Sequence, residues 1–276
     1  MNVKTPVSVI VCAKNEESRI AACLEGIYAN DPSEVILVDG GSNDGTVRLA
    51  EDWDDISIIR SSEGNLTKDR QIGIDNAAYD YIAMIDADHR LDPGQLTSLM
   101  DDLQHFGLDI VQGGLVLDGQ AGFWVQAEAA AWEVAHNHRP GQRAMIGTAP
   151  TLYRRQVFDK IRFDDVITKS IDDTDFFYRL SKFPQFKVGV GVTRIRQRHE
   201  SNLLSYIKKF LWYGMGDGQF CRKHPTRAVS MLFHLLVRYP LIYPVRCFWV
   251  GKFIAIPFFV LQGLFRFLGL IVRGLK

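Results

Sequence analysis

Apolar residues in the first third of the chain fall into short unbroken runs, separated by stretches with helical spacing. Residues 7–13 and 34–38 read as strands, the first stopped by Lys14-Asn15-Glu16 and the second by Asp39. Residues 56–59 form a third run, and 81–85 a fourth that ends abruptly in Asp86-Ala87-Asp88. Between these runs, Ile20, Leu24 and Ile27 share one helical face, Val47, Leu49 and Ala50 mark a second helix, and Ile72, Ile74 and Ala77 a third. Unbroken runs suit strands covered on both faces. The order β-α-β-α-β-α-β predicts an α/β fold, a Rossmann-like, mostly parallel sheet flanked by helices.

Ligands of such sheets bind beyond the carboxyl ends of the strands. Lys14-Asn15-Glu16, Asp39, and Asp86 with Asp88 are therefore candidates for a single crevice. An acid at a strand end can accept hydrogen bonds from a base or a ribose, or simply cap a turn. Two carboxylates one residue apart repel unless a proton or a cation intervenes, and an all-oxygen pair suits Mg²⁺ or Mn²⁺. Asp-x-Asp is also a common solvated turn. The turn cluster at 40–46 lacks the Gly-Lys-Ser/Thr ending of a phosphate loop and the Gly-x-Gly-x-x-Gly of a dinucleotide fold.

Further along, residues 108–116 predict a strand and 123–135 an alanine-rich helix, with His136 and His138 as solvated caps of its end. Trp124 and Trp132 on that helix read as core packing or as a platform for a sugar. Within residues 145–155, the small residues Gly147, Thr148 and Ala149 leave room for close approach of a ligand. The acids Asp172, Asp173 and Asp175 open a helix that Asp175 and Arg179 brace as an i,i+4 pair. That local role accounts for one or two of the three. Residues 188–200 alternate as a strand, its second half carrying Arg194, Arg196 and Arg198.

Composition adds two points. Lys+Arg and Asp+Glu both total 32, so no global charge steers the chain to nucleic acid. After Asp217, however, no acid appears among nine further Lys and Arg residues. The four cysteines show no metal-ligand spacing and read as reduced thiols, and residues 1–13 read as a strand rather than a secretory signal. From about residue 201 the chain becomes apolar, basic and aromatic, with runs at 231–237, 241–245, 247–251 and 253–265, each stopped by Arg or Lys. Such a tail fits helices lying in the interface of an anionic membrane. A spanning helix over 247–265 and an oligomer contact are the other readings. Arginines at near-even intervals argue against full burial.

The segments 9–16, 38–46, 68–73 and 86–88 together resemble a family 2 glycosyltransferase with the GT-A fold, as found in bacterial exopolysaccharide and lipid-linked glycan synthesis. The resemblance implies a nucleotide-binding half at 1–100, an acceptor half at 101–200 and a membrane-associating region at 201–276. It implies that Asp39 meets the base, usually uracil, and that Asp88 ligates a metal bridging the diphosphate. Ala13, Asn15, Glu16, Arg70, Asp86 and Ala87 would line the donor, and residues 145–155 resemble the family strand that passes under the donor sugar, at Gly147. Ala13-Lys14 replaces the commoner Pro-Thr or Ala-Tyr, and Gln71 replaces Asn. Asp173 matches the general base of an acidic motif whose usual Glu is here Asp172, also expected near the donor. Arg196 and Arg198 would approach the diphosphate, and His199 the metal.

The expected reaction is a metal-dependent, inverting transfer of one sugar from a nucleotide sugar, UDP-linked by resemblance, to a hydroxyl. The acceptor would be a membrane-bound glycan or a lipid-linked precursor at the cytoplasmic face of the cell membrane. The Gln-x-x-Arg-Trp motif of processive synthases is missing. The alternative is a catalytically silent nucleotide-sugar-binding subunit that recruits another transferase. A nucleotidyltransferase fits less well, since no glycine-rich loop with Arg and Lys follows the first strand.

Overall fold

A computed structural model of the chain describes residues 4–61, 65–117, 122–136, 139–168, 170–198 and 202–274. They form two compact units. The first comprises Met1–Asp118, Arg139–Asp165 and Asp173–Arg198, and the second Gly119–His138, Val166–Asp172 and His199–Lys276.

The first unit opens with β1 (Thr5–Ala13), α1 (Ile20–Tyr28), β2 (Pro32–Asp39), α2 (Thr46–Ala50), β3 (Ile56–Arg60), α3 (Leu66–Asn76) and β4 (Tyr81–Asp86). A two-residue β5 (His89–Arg90) leads to α4 (Gln95–His105) and β6 (Ile110–Leu117). After α5 (Phe123–His136), which belongs to the second unit, come β7 (Gly141–Gln142), β8 (Thr151–Arg154), α6 (Asp172–Leu180) and β9 (Val188–Gln197). The strands make one mixed sheet in the order β3-β2-β1-β4-β8-β6-β9-β5, with β7 alongside β9. Strands β1 to β4 pair in parallel, and β8 runs antiparallel to both β4 and β6.

The unbroken apolar runs have a direct cause. Alternate residues of one strand enter different cores: Val7, Val9 and Val11 join Leu24, Leu96 and Leu99 on one face, while Ile10 joins Ile74, Phe176 and Phe177 on the other. Both faces are apolar because both are covered by helices. The same pattern repeats in β2 and β4, where Leu37 and Ile85 go to one face and Ile36 and Met84 to the other.

Sequence and structure differ in the 145–155 segment. Only Thr151–Arg154 is strand. The residues before it are a loop pinned from inside: the Gly147 amide donates to Gln112 Oε1 at 2.9 Å, Thr151 Oγ1 donates to the Gly147 carbonyl, and Tyr153 Oη to the Thr148 carbonyl. Pro150 has no amide to give a ladder, so a longer strand ending there would be broken.

The second unit contains α5, α7 (Leu203–Lys223), α8 (Ala228–Phe233), α9 (Tyr243–Val250) and α10 (Ile256–Gly269). Tyr206, Phe210, Tyr243, Phe258 and Phe259 pack with Ala127 and Ala131 as its core. The short apolar runs of the sequence merge into two longer helical stretches, Pro225–Val250 and Phe253–Val272, each of a length and composition that could cross a membrane. A π-helical segment at His234–Ile242 carries the first stretch past Pro240.

One expectation about this region is corrected. Arg266 is not at the surface: its guanidinium is buried against Asp217, with Nε and Nη2 at 2.9 and 2.6 Å from the two carboxylate oxygens, and Nη1 donates to Tyr239 Oη at 3.1 Å. The last acid of the chain is thus the buried counter-charge of one of its arginines. Removing one partner of a buried pair leaves an uncompensated charge, so Asp217→Ala is expected to cost about 3–5 kcal/mol, read as a lowered midpoint of unfolding.

Candidate active site

Four parallel strands bring their carboxyl ends to one edge of the sheet. Ala13 on β1 lies level with Asp39 on β2, Asp39 with Arg60 on β3, and Cys12 on β1 with Asp86 on β4. This register places Asn15, Glu16, Asp39, Asp86 and Asp88 along the same edge, as the sequence pattern implies.

At the β2 end, Asp39 is buried and both its oxygens face the Ser42 amide, at 3.1 and 3.3 Å. The loops after β1 and β2 are laced together. The Asn15 amide donates to Ser42 Oγ, the Asn43 amide to Asn15 Oδ1, and the Glu16 amide to Thr46 Oγ1, each at 2.8–2.9 Å. Asn15 adopts a left-handed φ of 57°, which asparagine tolerates better than most residues. Asp44 accepts from the Thr46 amide and hydroxyl, and these bonds hold its carboxyl below the usual range. Asp39, Gly41, Ser42, Asp44, Val47, Arg60 and Ser61 line a cavity of about 400 Å³.

Asp69 joins this end of the crevice, though the sequence marks it only as a neighbour of Arg70. It is buried beside Gly40, its Oδ1 has no hydrogen-bond partner among the described residues, and burial pushes its carboxyl up, with Asp39 repelling it further and a bond from Ser61 opposing the rise. Helix α3, which carries both Asp69 and Arg70, is fixed at its start by Asn65. That side chain accepts from the Thr67 and Lys68 amides and donates to the Asp165 carbonyl at 3.1 Å. Gly73 leaves the space that lets the helix lie on Ile10.

At the β4 end, Arg70 Nη2 sits 3.3 Å from Asp86 Oδ1, with the arginine side chain buried and the aspartate partly open. Ala87 is buried, and the Asp88 side chain that follows it is only partly exposed. Glu16 closes the cluster. Burial raises its carboxyl above the usual range, the Arg19 guanidinium at 3.2 Å opposes that rise, and Asp88 and Asp86 add to it. Three carboxylates therefore share one edge, with Arg19 and Arg70 as their cationic neighbours.

The antiparallel pairing of β5 with β9 sets His89 opposite Gln197 and Arg90 opposite Arg196. Gln197 Nε2 donates to Asp88 Oδ2 at 3.0 Å, and the Arg198 amide donates to the Asp88 carbonyl at 2.9 Å. Arg196 points the other way and pairs with Asp92, while the Arg198 guanidinium reaches the Ser18 carbonyl. Strand alternation explains the difference: the arginines share one face and Gln197 takes the other. Gln197 and His89 are site residues that the sequence reading missed. Adjacency to Asp88 was the available signal for His89; Gln197, 109 positions away, gave none. His199 lies outside the described residues, as does His138.

The donor set suits a hard divalent cation. Ligand atoms of Asp86, Asp88 and His89 lie within 4.8 Å of one another, and Asp88 Oδ1 is buried with no hydrogen-bond partner among the described residues. Asp173, at the start of α6, accepts from the Thr174 amide at 2.6 Å and remains partly exposed. Asp172 is buried, and Asp175 pairs with Arg179 at 2.7 Å, so that acid is structural.

These features can be set beside known proteins. S. aureus TarS, residues 1–349, solved in complex with UDP-GlcNAc, superposes with a TM-score of 0.57 at 14% identity, covering 79% of this chain and 67% of that one. At that identity the likeness shows the fold alone, which is GT-A. Glycosyltransferase GlyA of Streptococcus pneumoniae is 22% identical over 184 residues, 59% of this chain and 26% of its own length. The lipopolysaccharide core biosynthesis glycosyltransferase LpsC of Rhizobium meliloti is 29% identical over 104 residues, 36% of this chain and 37% of its own length. The chain thus spans about a quarter to two fifths of these curated relatives. Residues 8–162, more than half of the chain, match the family described as Glycosyl transferase family 2, a stretch that holds Asp39, Arg70, Asp86 and Asp88. With the acids of the strand ends in place and the fold matched, the chain belongs to glycosyl transferase family 2.

Proposed function

We propose that this chain is a metal-dependent, inverting glycosyltransferase that moves one sugar from a nucleotide sugar to a hydroxyl of a membrane-bound glycan or lipid-linked acceptor. The observation that carries the reading is the cluster at the β4 end: Asp86, Asp88 and Glu16 crowd together, and one buried oxygen of Asp88 has no hydrogen-bond partner among the described residues. Arg19 pairs with Glu16 and Arg70 with Asp86, and a Mg²⁺ or Mn²⁺ that holds a diphosphate would satisfy the remaining oxygen of Asp88. UDP is the favoured nucleotide, consistent with the UDP-GlcNAc bound in S. aureus TarS.

Asp39 would accept from a base N–H while the loops after β1 and β2 fix its direction. Arg70 would pair with Asp86 and hold its carboxylate in the crevice. Gly147, held by Gln112 and Thr151 and with no side chain to occupy the space beside them, would lie under the donor sugar. Asp173 would take the proton of the acceptor hydroxyl as the oxygen attacks the anomeric carbon from the face opposite the departing diphosphate. A bound Mg²⁺ or Mn²⁺ would supply Lewis-acid neutralisation of the leaving group. One base and one attack give inversion.

The second unit supports the acceptor class. Phe248, Trp249 and Phe253 are exposed on its helices, Trp249 by 85%, in a stretch that carries Arg238, Arg246 and Lys252, the last paired with Glu133. Aromatic and basic groups together suit the headgroup zone of an anionic leaflet, so the chain would bind there peripherally or monotopically.

Three measurements test this reading. Asp88→Ala should abolish Mn²⁺-dependent binding of UDP-sugars in calorimetry, and donor binding indifferent to both this change and chelator would refute the metal role. Asp173→Asn should lower the rate of transfer about 10²–10⁴-fold with donor affinity retained; unchanged transfer would favour a silent binding subunit. Trp249→Glu combined with Phe248→Glu should reduce co-sedimentation with vesicles containing phosphatidylglycerol and leave UDP-sugar binding unchanged.

A further inference from the structure

We infer that His89 is a positioning residue for Asp88, holding that carboxylate in place through its Nε2 proton without itself binding the metal. The inference rests on the proposal that Asp88 ligates a divalent cation. Next to two acids, a histidine is easily taken for a third ligand, since its ring nitrogens lie within 4.8 Å of oxygens of Asp86 and Asp88.

The hydrogen bonding argues otherwise. The Asp86 backbone amide donates to His89 Nδ1 at 3.1 Å. A backbone amide cannot reverse its role, so Nδ1 must present its lone pair, and the proton of the neutral ring sits on Nε2. Nε2 then has no lone pair for a metal. Ligation through it would require the ring to give up its last proton.

That Nε2–H is aimed at one target. It lies 3.7 Å from Asp88 Oδ1, with the histidine side chain 1% exposed, and neither atom has a hydrogen-bond partner among the described residues. Both atoms are buried, so each would serve as the other's partner, and hydrogen-bond length is about 0.7 Å closer. On the other side Gln197 Nε2 already donates to Asp88 Oδ2 at 3.0 Å. His89 and Gln197 are cross-strand partners in the β5–β9 pair, so one ladder step delivers a donor to each oxygen. Each carboxylate oxygen has two lone-pair directions. One would be taken by the protein donor, leaving one on each for a cation.

Mn²⁺ titration of the full chain, followed by electron paramagnetic resonance with and without UDP, tests the inference on the unsubstituted protein, H89L and H89Q. Outer partners of ligating carboxylates commonly contribute 10–100-fold to metal affinity. H89L, which has no donor, should therefore lose about 10–100-fold in Mn²⁺ affinity, and H89Q, whose amide nitrogen can donate to Asp88, should recover most of it. Pulsed measurements of H199A, which lacks the histidine that the family resemblance brings to the metal, should show no directly bound ¹⁴N. Equal affinity of H89L and the unsubstituted protein, equal losses in both His89 variants, or an imidazole nitrogen on the metal in H199A overturns the inference while leaving the metal reading standing. Failure of the unsubstituted protein to bind Mn²⁺ under either condition overturns both. The nitrogen measurement leaves His89 in place, so it remains decisive where a variant at that position fails to fold.

Discussion

Like charges brought together at the edge of a sheet repel, and the first unit is built around containing that repulsion. Glu16, Asp86 and Asp88 arrive from two adjacent strand ends, and half-burial of Glu16 strengthens their mutual field. The compensation comes from every side. Arg19 follows Glu16 by one helical turn, Arg70 reaches Asp86 from α3, and the donors of His89, Gln197 and the Arg198 amide surround Asp88. Buried Cys23, its thiol pushed up by burial and so kept as a donor, approaches the Asp86 carbonyl at 3.6 Å. The elements that look like mere scaffolding are therefore electrostatic supports. Asn30 shows how far this extends: its amide bridges the Gly26 and Asp92 carbonyls and accepts from the Leu96 amide, tying α1 to the chain just after β5.

The arrangement of the first four strands was legible because its physics is local. Both-face burial writes an unbroken apolar run, and the polar stop after each run marks the strand end on which ligands depend. Asp39, Asp86 and Asp88 could be named for that reason. Asp69 was hidden inside a helix whose other residues explained themselves, and only its burial beside Gly40 reveals that it faces Asp39. Gln197 and Arg196 could not be told apart by sequence. Which of two neighbouring polar residues faces a site is settled by strand parity, and parity depends on a register that β9 acquires from β5 and β6. The 145–155 segment failed for a complementary reason. The family resemblance implies a strand there, but the bonds from the Gly147 amide to Gln112 and from Tyr153 to the Thr148 carbonyl hold a loop.

The second unit shows the limit of counting charges. Arginines spaced through an apolar tail suggest a surface, and Arg238 is exposed and Arg246 partly exposed. Arg266 is different, because Asp217 on α7 waits for it 49 residues earlier in the chain. A related network buries Glu128 against Tyr206 Oη at 2.7 Å, with Lys209 at 3.4 Å. Polar residues inside a helical bundle fix which faces meet, since a shifted register would strand a charge. Apolar surface remains elsewhere on the same helices, so the unit combines a specified interior with a greasy exterior.

The bond from Gln197 to Asp88 joins positions 109 residues apart. A ribosome making this protein emits the acidic strand ends long before it emits the strand that steadies them. Until β9 has left the exit tunnel, the nascent chain carries a crowded acidic edge without its final donors. Completion of the site is therefore a late event in synthesis, which keeps the half-made protein from presenting a finished one.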